Sequence, residues 1–579
     1  MQRYRTWICA FAGVLLYFLA LPPVGAGILG WCAFAPWIPL LRTPSLTGRH
    51  PYRAIWCAGC VFWLATLHWL RYPHPATTLG WIALAIYLAC YFPALVAIGR
   101  MFVHRYRWPA FPALAVTWTG LELLRAHLIT GFLMVSIAHS QLSILPAWGT
   151  SLPIAWPGFL QIAELGGEYA ATFLLVLTGG MIGEYLVSST SSADRKRRTF
   201  ATCGVLLFLG VTWTYGQTAI RAQRDLLAEH GTSLRVAAIQ GSTPSQLKHS
   251  ADPEAPRRIL GEYLTLTREV MERPVDQRPW FIVWPETMFP FPLVLAGNPD
   301  SWTETEFRTS EYAAQFDSFE AFREMAICRA RESREMPGDM VRQVGVPMLI
   351  GMSVWTYDSP MDVRGYNGAA LFSADGTMTP EVYRKMHRVL FGEYIPLADT
   401  FPVLQRLTPL PSSLDAGPRA ELLVCPVTDP QSGITGTVRV QPNICYESVL
   451  PHVIRRQFTD VVHRDPQRYR PQLLANLTND GWFRGSCELD QHLCCAQMRA
   501  IETRTPWIIA ANTGFSATID TTGSLRTRGP RGTGGYVVDT LTLPPEAEKD
   551  APMTFYLRYG DWLPGLCLVL MGIGLVREL

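Results

Sequence analysis

The placement of apolar residues restricts this chain most. A helix needs about 20 mostly apolar residues to cross the hydrocarbon core of a bilayer, with a lower bound near 17. Runs approaching that kind fill the first 220 positions, at 7–21, 28–41, 54–70, 79–99, 110–124, 169–187 and 199–215, and one more stands at 562–576. Between them, from 231 to 560, the sequence reads as ordinary soluble protein, so the excess behind the 49% hydrophobic content lies at the two ends. This pattern predicts about eight transmembrane helices, seven and then one, around a soluble domain. A removable signal peptide over 1–27 would need a cleavage motif, but the chain runs straight into further apolar segments, so the first span is read as retained.

Lys and Arg in short loops mark the cytoplasmic side. Arg3 and Arg5 precede the first span, Arg42, Arg49 and Arg53 lie between the second and third, Arg100, Arg105 and Arg107 between the fourth and fifth, and Arg195, Lys196, Arg197 and Arg198 between the sixth and seventh. The opposite loops hold little beyond Arg71 and Arg125, and the connection 127–168 has no Lys or Arg. This alternation predicts a membrane domain over 1–220, an exported domain over 231–555 and a final helix over 562–579, in the inner membrane of a double-membrane bacterium with the soluble domain in the periplasm. Trp148, Trp156 and Phe159 are expected at the membrane interface, and Glu122 and Arg125 are expected to pair.

The balance of 50 Lys+Arg against 47 Asp+Glu argues against a nucleic-acid partner. Of 13 cysteines, seven (9, 32, 57, 60, 90, 203 and 567) fall in or near apolar runs, where they serve as small hydrophobes. The exported six are Cys328, Cys425, Cys445, Cys487, Cys494 and Cys495, whose pairing the sequence does not fix. Cys487, His492, Cys494 and Cys495 lack paired CxxC spacing, so no metal is expected, nor any other cofactor.

The exported segment alternates apolar strands with helical stretches, as a layered α/β domain does. Strands are predicted at 234–240, 280–284, 347–354, 368–373, 438–444 and 472–476, a helix at 257–272, and a hairpin turn at Asp375-Gly376. The polar stretch 297–344 reads as an insertion. Three places look chemical. In "FIVWPETMFP", Pro285 cannot continue a ladder and Glu286 is delivered from a strand end. "VYRKMHRVLFGEYIPL" holds Lys385 and Glu393, and "VRVQPNICYES" delivers Cys445 from a strand end, as nucleophile turns do.

The order Glu–Lys–Cys in these surroundings resembles the carbon–nitrogen hydrolase (nitrilase) superfamily, and with the flanking spans the chain is similar to the apolipoprotein N-acyltransferase family. "LELLRAHLITGF", "LQIAELGGEYAATFLL", "WPET", "RKMHRVLFGEYIPL", "ICYES", "LTNDGWFRGS" and "QHLCCAQMRAIETRTPWIIAANTGFSATID" carry the resemblance. It implies a nitrilase-like α-β-β-α sandwich, with Glu286 as general base, Lys385 as catalytic lysine and Cys445 as nucleophile. Glu393, Tyr446 and Glu447 match positions with functional side chains near the site. Leu133 and Met134 stand where the family has Pro-Trp, and Leu390 where it has proline.

These residue types suit acyl transfer. A thiolate is a good nucleophile, but a free cysteine with a pKa near 8.5 needs a base or a cation beside it. Glu286 would take the thiol proton, and Lys385 with a backbone N–H after Cys445 would stabilise the oxyanion. The resemblance implies a phospholipid acyl donor and a diacylglyceryl-modified apolipoprotein as acceptor. Glu393 and Glu447 either assist or pair with arginines, Tyr446 either assists or packs, and His387 and His492 read as structural. Two rivals remain: a membrane-tethered amidase that releases its thioester to water, and a polytopic binding or transport protein.

Overall fold

In a computed structural model the chain is described at residues 4–142, 157–187, 192–244, 247, 252–390, 392–395 and 413–577. The soluble part is built on two facing sheets. One contains β1 (Thr232–Gln240), β2 (Phe281–Val283), β3 (Phe289–Ala296), β4 (Met348–Ser359), β5 (Asp362–Phe372), β6 (Met378–Arg384) and β13 (Gly535–Leu543), ordered β13-β1-β2-β4-β5-β6 with β3 also on β4. The other runs β12-β11-β10-β9-β8-β7, from β7 (Leu423–Thr428), β8 (Thr435–Ile444), β9 (Leu473–Thr478), β10 (Trp507–Ala511), β11 (Ala517–Ile519) and β12 (Leu525–Arg528).

The period-2 pleat sends alternate side chains to opposite faces. Leu234, Val236 and Ala238 of β1 and Phe281 and Val283 of β2 meet Val438, Val440, Leu473, Ala475 and Ile508 of the other sheet in a central core. Their neighbours Ala237, Ile239 and Ile282 turn outward, beneath helices Ala255–Met271 and Phe319–Val344. On the far side, Leu474, Trp507 and Ile509 pack under helices Pro451–Arg464 and Glu488–Thr503. The result is the α-β-β-α sandwich. The stretch 297–344 is more than an insertion: its second half is an outer-layer helix whose Met340 and Val341 cover the sheet. Its amphipathic pattern carries no strand, so a search for strands passes over it. The turn at Asp375-Gly376 joins β5 to β6, with Gly376 at φ +82°.

The N-terminal part is helical. Among the described residues, two segments, Thr77–His104 and Asp194–His230, are long and apolar enough to cross a bilayer, while Arg5–Ala20 and Trp562–Val576 are apolar but shorter. Helices Pro51–Thr66, Ala110–His127 and Glu168–Glu184 overlap the runs expected at 54–70, 110–124 and 169–187, the first and last ending a few residues short. The expected span 28–41 is not one helix: turns Gly27–Trp31 and Ala35–Trp37 lead into the short helix Ile38–Arg42. Pro36 and Pro39 start new helical pieces here, since proline lacks the N–H a continuous helix needs. Helix Ser192–His230 has 39 residues, and a rise of ~1.5 Å per residue makes it about 58 Å, longer than the ~30 Å of a bilayer core. Its excess leads directly into β1.

The C-terminal helix returns to the N-terminal bundle at Gly120, where an added Cβ would lie 2.5 Å from the Met571 sulfur. A small residue at such a crossing lets two helix backbones approach. Glu122 and Arg125 pair at 3.0 Å with both side chains buried, and Arg125 also lies over the Trp63 ring. Phe159 packs between the rings of Trp31 and Trp213, at 5.1 Å from each, whereas Trp148 and Trp156 lie outside the described residues. Leu133 and Met134 are buried in the bundle, and Leu390 bridges to Tyr394.

Candidate active site

Glu286, Lys385 and Cys445 each follow the C-terminal end of a strand: β2, β6 and β8. The β2 ladder ends where Trp284 donates its N–H to Leu349, 2.9 Å. The chain then crosses over Gly351 of β4, whose missing Cβ would lie 2.2 Å from the Pro285 oxygen, so a glycine is required for Glu286 to reach the site. The Lys385 N–H donates to the Asn367 carbonyl at 2.8 Å, and its buried ammonium stands 2.9 Å from Glu393 and 3.9 Å from Glu286. Cys445 has φ +53°, a strained turn at the junction of β8 with the 3-10 turn Cys445–Val449, and it is half-buried.

The charges complement one another. Burial, and then the Glu286 charge, push the Cys445 thiol well above its usual pKa, with Lys385 opposing, so the resting group is a thiol. Burial disfavours the Lys385 ammonium, but the neighbouring acidic groups, Glu393 foremost and Glu286 among them, more than offset this and raise its pKa. Burial likewise disfavours the Glu393 carboxylate, yet Lys385, the Asn367 amide and the Val389 N–H hold its pKa below the ordinary value.

The three flanking positions behave differently from one another. Glu393 is an ion-pair partner of the lysine rather than of an arginine. Glu447 is fully buried and accepts on both oxygens: Oε1 from the Met386 and His387 N–H groups and Gln457, Oε2 from the Tyr383 hydroxyl and the Ile444 N–H. It thus ties the segment after β6, which carries Lys385, to the turn carrying Cys445. The Tyr446 hydroxyl donates to the Gly131 carbonyl of the helical part at 2.9 Å, and Val449, Leu450 and Val453 join the core of that part. The site therefore sits where the two parts meet. Burial, then Lys385, push His387 down to about 4, leaving it neutral.

Asn367 escaped the sequence reading. Its amide nitrogen donates to Glu286 at 2.5 Å and to Glu393 at 3.0 Å, bridging two carboxylates that would otherwise repel. A buried asparagine within the apolar strand "GYNGAALF" was the available signal. His492 does not group with the nearby cysteines: it faces Asp480, Glu488, Ser448 and the Cys445 carbonyl, while Cys495 donates to the Gln491 carbonyl of its own helix. Among the described residues, Asp480, Glu488 and His492 are the one group whose ligand-type atoms converge, within 4.8 Å of one another. Among the described residues, no two cysteines are bonded to each other.

Residues 12–181 match the model of the apolipoprotein N-acyltransferase N-terminal domain, and residues 235–545 match carbon-nitrogen hydrolase. An apolipoprotein N-acyltransferase of Rhodopirellula baltica is 28% identical, over 96% of this chain and 94% of its own. That of Geobacter metallireducens is 27% identical over 97% and 93%, and that of Nitrosomonas europaea 30% over 83% and 80%.

Proposed function

The chain belongs to the apolipoprotein N-acyltransferase family, acyltransferases with a carbon–nitrogen hydrolase domain, and on that footing we propose that Cys445 carries the acyl group, with Glu286 as base and Lys385 as oxyanion partner. The acyl donor is a phospholipid, and the acceptor is the α-amine of the diacylglyceryl-cysteine that begins a lipoprotein. Glu286 takes the thiol proton as sulfur attacks the ester carbonyl. Lys385 and the Tyr446 N–H receive the charge that develops on oxygen. As the ester C–O bond breaks, Glu286 returns the proton to the departing lysophospholipid, leaving a thioester. The lipoprotein amine then attacks that thioester, Glu286 accepts its proton, and the Cys445 thiol is restored as the amide forms. Glu393 keeps Lys385 charged throughout.

The observation that carries this reading is the convergence of Glu286 and Lys385 on a half-buried Cys445 whose neighbour Tyr446 is bonded to the helical part. Both substrates are bilayer-anchored, so a site against membrane helices meets them where they reside and keeps water from the thioester. Eight spans, with the catalytic domain over 231–555 on the periplasmic side of the bacterial inner membrane, complete the proposal. With labelled phospholipid and no acceptor, the protein is expected to hold label on Cys445 that hydroxylamine removes, and a diacylglyceryl-cysteine peptide should discharge it onto the amine. Steady release of free fatty acid, with no labelled protein and no N-acyl peptide, would indicate the tethered hydrolase instead.

A further inference from the structure

The carbonyl oxygen of Cys445 receives three side chains at once. Asn476 Nδ2 of β9 donates to it at 3.2 Å, Ser448 Oγ at 3.1 Å, and His492 Nε2 lies 3.2 Å away. His492 Nε2 also lies 2.8 Å from Ser448 Oγ, so histidine and serine are held to each other as well as to the carbonyl, which only accepts and takes a hydrogen from Nε2 in the tautomer that carries one there. The imidazole is held from behind: Nδ1 is 3.3 Å from Asp480 and 3.9 Å from Glu488, and Thr478 donates to the same Asp480 oxygen at 2.7 Å. Asn476 is fixed in turn by donating to Asn443 at 2.7 Å. Asn476, Ser448, His492, Asp480 and Glu488 are all buried. This is a large investment of buried polar groups around one backbone oxygen, at a residue with φ +53°.

The peptide unit that owns this oxygen also owns the Tyr446 N–H, and a trans peptide points its N–H opposite to its carbonyl. Tyr446 lies in the first turn of the 3-10 turn Cys445–Val449, where N–H groups have no acceptor within the helix. Hydrogen bonds to a carbonyl also polarise the amide and strengthen its N–H as a donor. We infer that His492, Ser448 and Asn476 are positioning residues that clamp the Cys445 carbonyl and thereby aim the Tyr446 N–H at the oxygen that gains charge during acyl transfer. This rests on the acyl-transfer reading above. It gives His492 a function through the backbone rather than as an acid, base or ligand, and it explains why two carboxyl groups are buried behind a histidine that touches no reacting atom.

The test separates oxyanion formation from nucleophilicity. Acylation of Cys445 by a phospholipid ester passes through an oxyanion, whereas alkylation of the same thiol by iodoacetamide does not. In full-length protein in detergent, His492→Gln and Ser448→Ala are compared with wild type for both reactions. Outright removal of an oxyanion donor costs about 10²–10³ in kcat. Loosening one is expected to slow maximal acylation by about ten- to a hundredfold for His492→Gln and severalfold for Ser448→Ala, with KM for phospholipid and the alkylation rate within about threefold. Ser448→Ala removes a single oxygen and decides the matter if His492→Gln does not fold. Acylation and alkylation falling together, or neither falling, would overturn the clamp. A wild-type protein that is alkylated at Cys445 yet never acylated would instead overturn the acyl-transfer reading on which the clamp rests.

Discussion

At the scale of single residues, the site depends on partners that lock each group in one state. Asn367 donates to both Glu286 and Glu393, and hydrogen bonds to charged groups contribute about 1.5–3 kcal/mol each. Asn367→Ala is therefore expected to lower single-turnover acylation by roughly ten- to a hundredfold while the protein remains folded, and Asn367→Asp, which adds a third carboxyl group, should lower it further. Gly351→Ala tests the crossing of Pro285 and Glu286 over β4. The new Cβ would meet the Pro285 oxygen, so activity should fall more steeply than the midpoint of thermal unfolding. Glu447 belongs to a different class. Both of its oxygens accept, so Glu447→Gln turns an amide N–H toward donors such as the Ile444 N–H and should cost about 2–4 kcal/mol of stability, read as a lower denaturation midpoint.

At the scale of elements, helix Glu488–Thr503 is the piece on which both halves of the molecule rest. All 16 of its residues are buried, between its own sheet and the helical part. Arg499 donates to Glu168 at 2.6 Å and to Glu502 at 2.9 Å, and the Trp69 indole donates to Gln491 at 3.1 Å. Removing one partner of a buried pair costs about 3–5 kcal/mol, so Glu168→Gln or Arg499→Met should separate or unfold the assembly far more readily than loss of an exposed pair such as Arg308–Glu304. Burial raises Glu502 to about 8, with Arg499 opposing. An unfolded glutamate loses its proton near pH 4.3, so between there and about pH 8 the folded chain keeps a proton the unfolded chain has lost, and stability falls as pH rises through that window. Thermal midpoints measured at pH 6 and pH 8 should show this fall in wild type, and Glu502→Gln, which cannot titrate, should flatten it.

At the scale of the whole molecule, the helical part and the sandwich share one junction, and the proposed chemistry requires that junction to face the bilayer surface outside the cytoplasm. A reporter active only outside the cytoplasm, fused near residue 231, is expected to work, and one near residue 193 to be silent. The reverse would put Cys445 on the wrong side for lipoprotein substrates. Much of this organisation is legible in the chain itself. Long apolar runs, alternating strands and the order of Glu286, Lys385 and Cys445 are local patterns, and side-chain periodicity fixes which face of a strand is buried before any partner is known. Periodicity does not say where a run of apolar residues breaks, and Pro36 and Pro39 divide the expected second span into short pieces. Nor does it pair residues distant in sequence. Asn367 meets Glu286 across 81 positions, Arg499 meets Glu168 across 331, and His492 reaches the Cys445 carbonyl across 47. These contacts exist only once the sheets have stacked and the helix Glu488–Thr503 has been enclosed. The sequence by itself thus determined the layers, because those follow from local composition and periodicity, while the likeness of its motifs to the family singled out the three side chains proposed to react. The tertiary structure alone decided what holds each of them in place, because a buried polar group must find its partner wherever the fold brings one within reach.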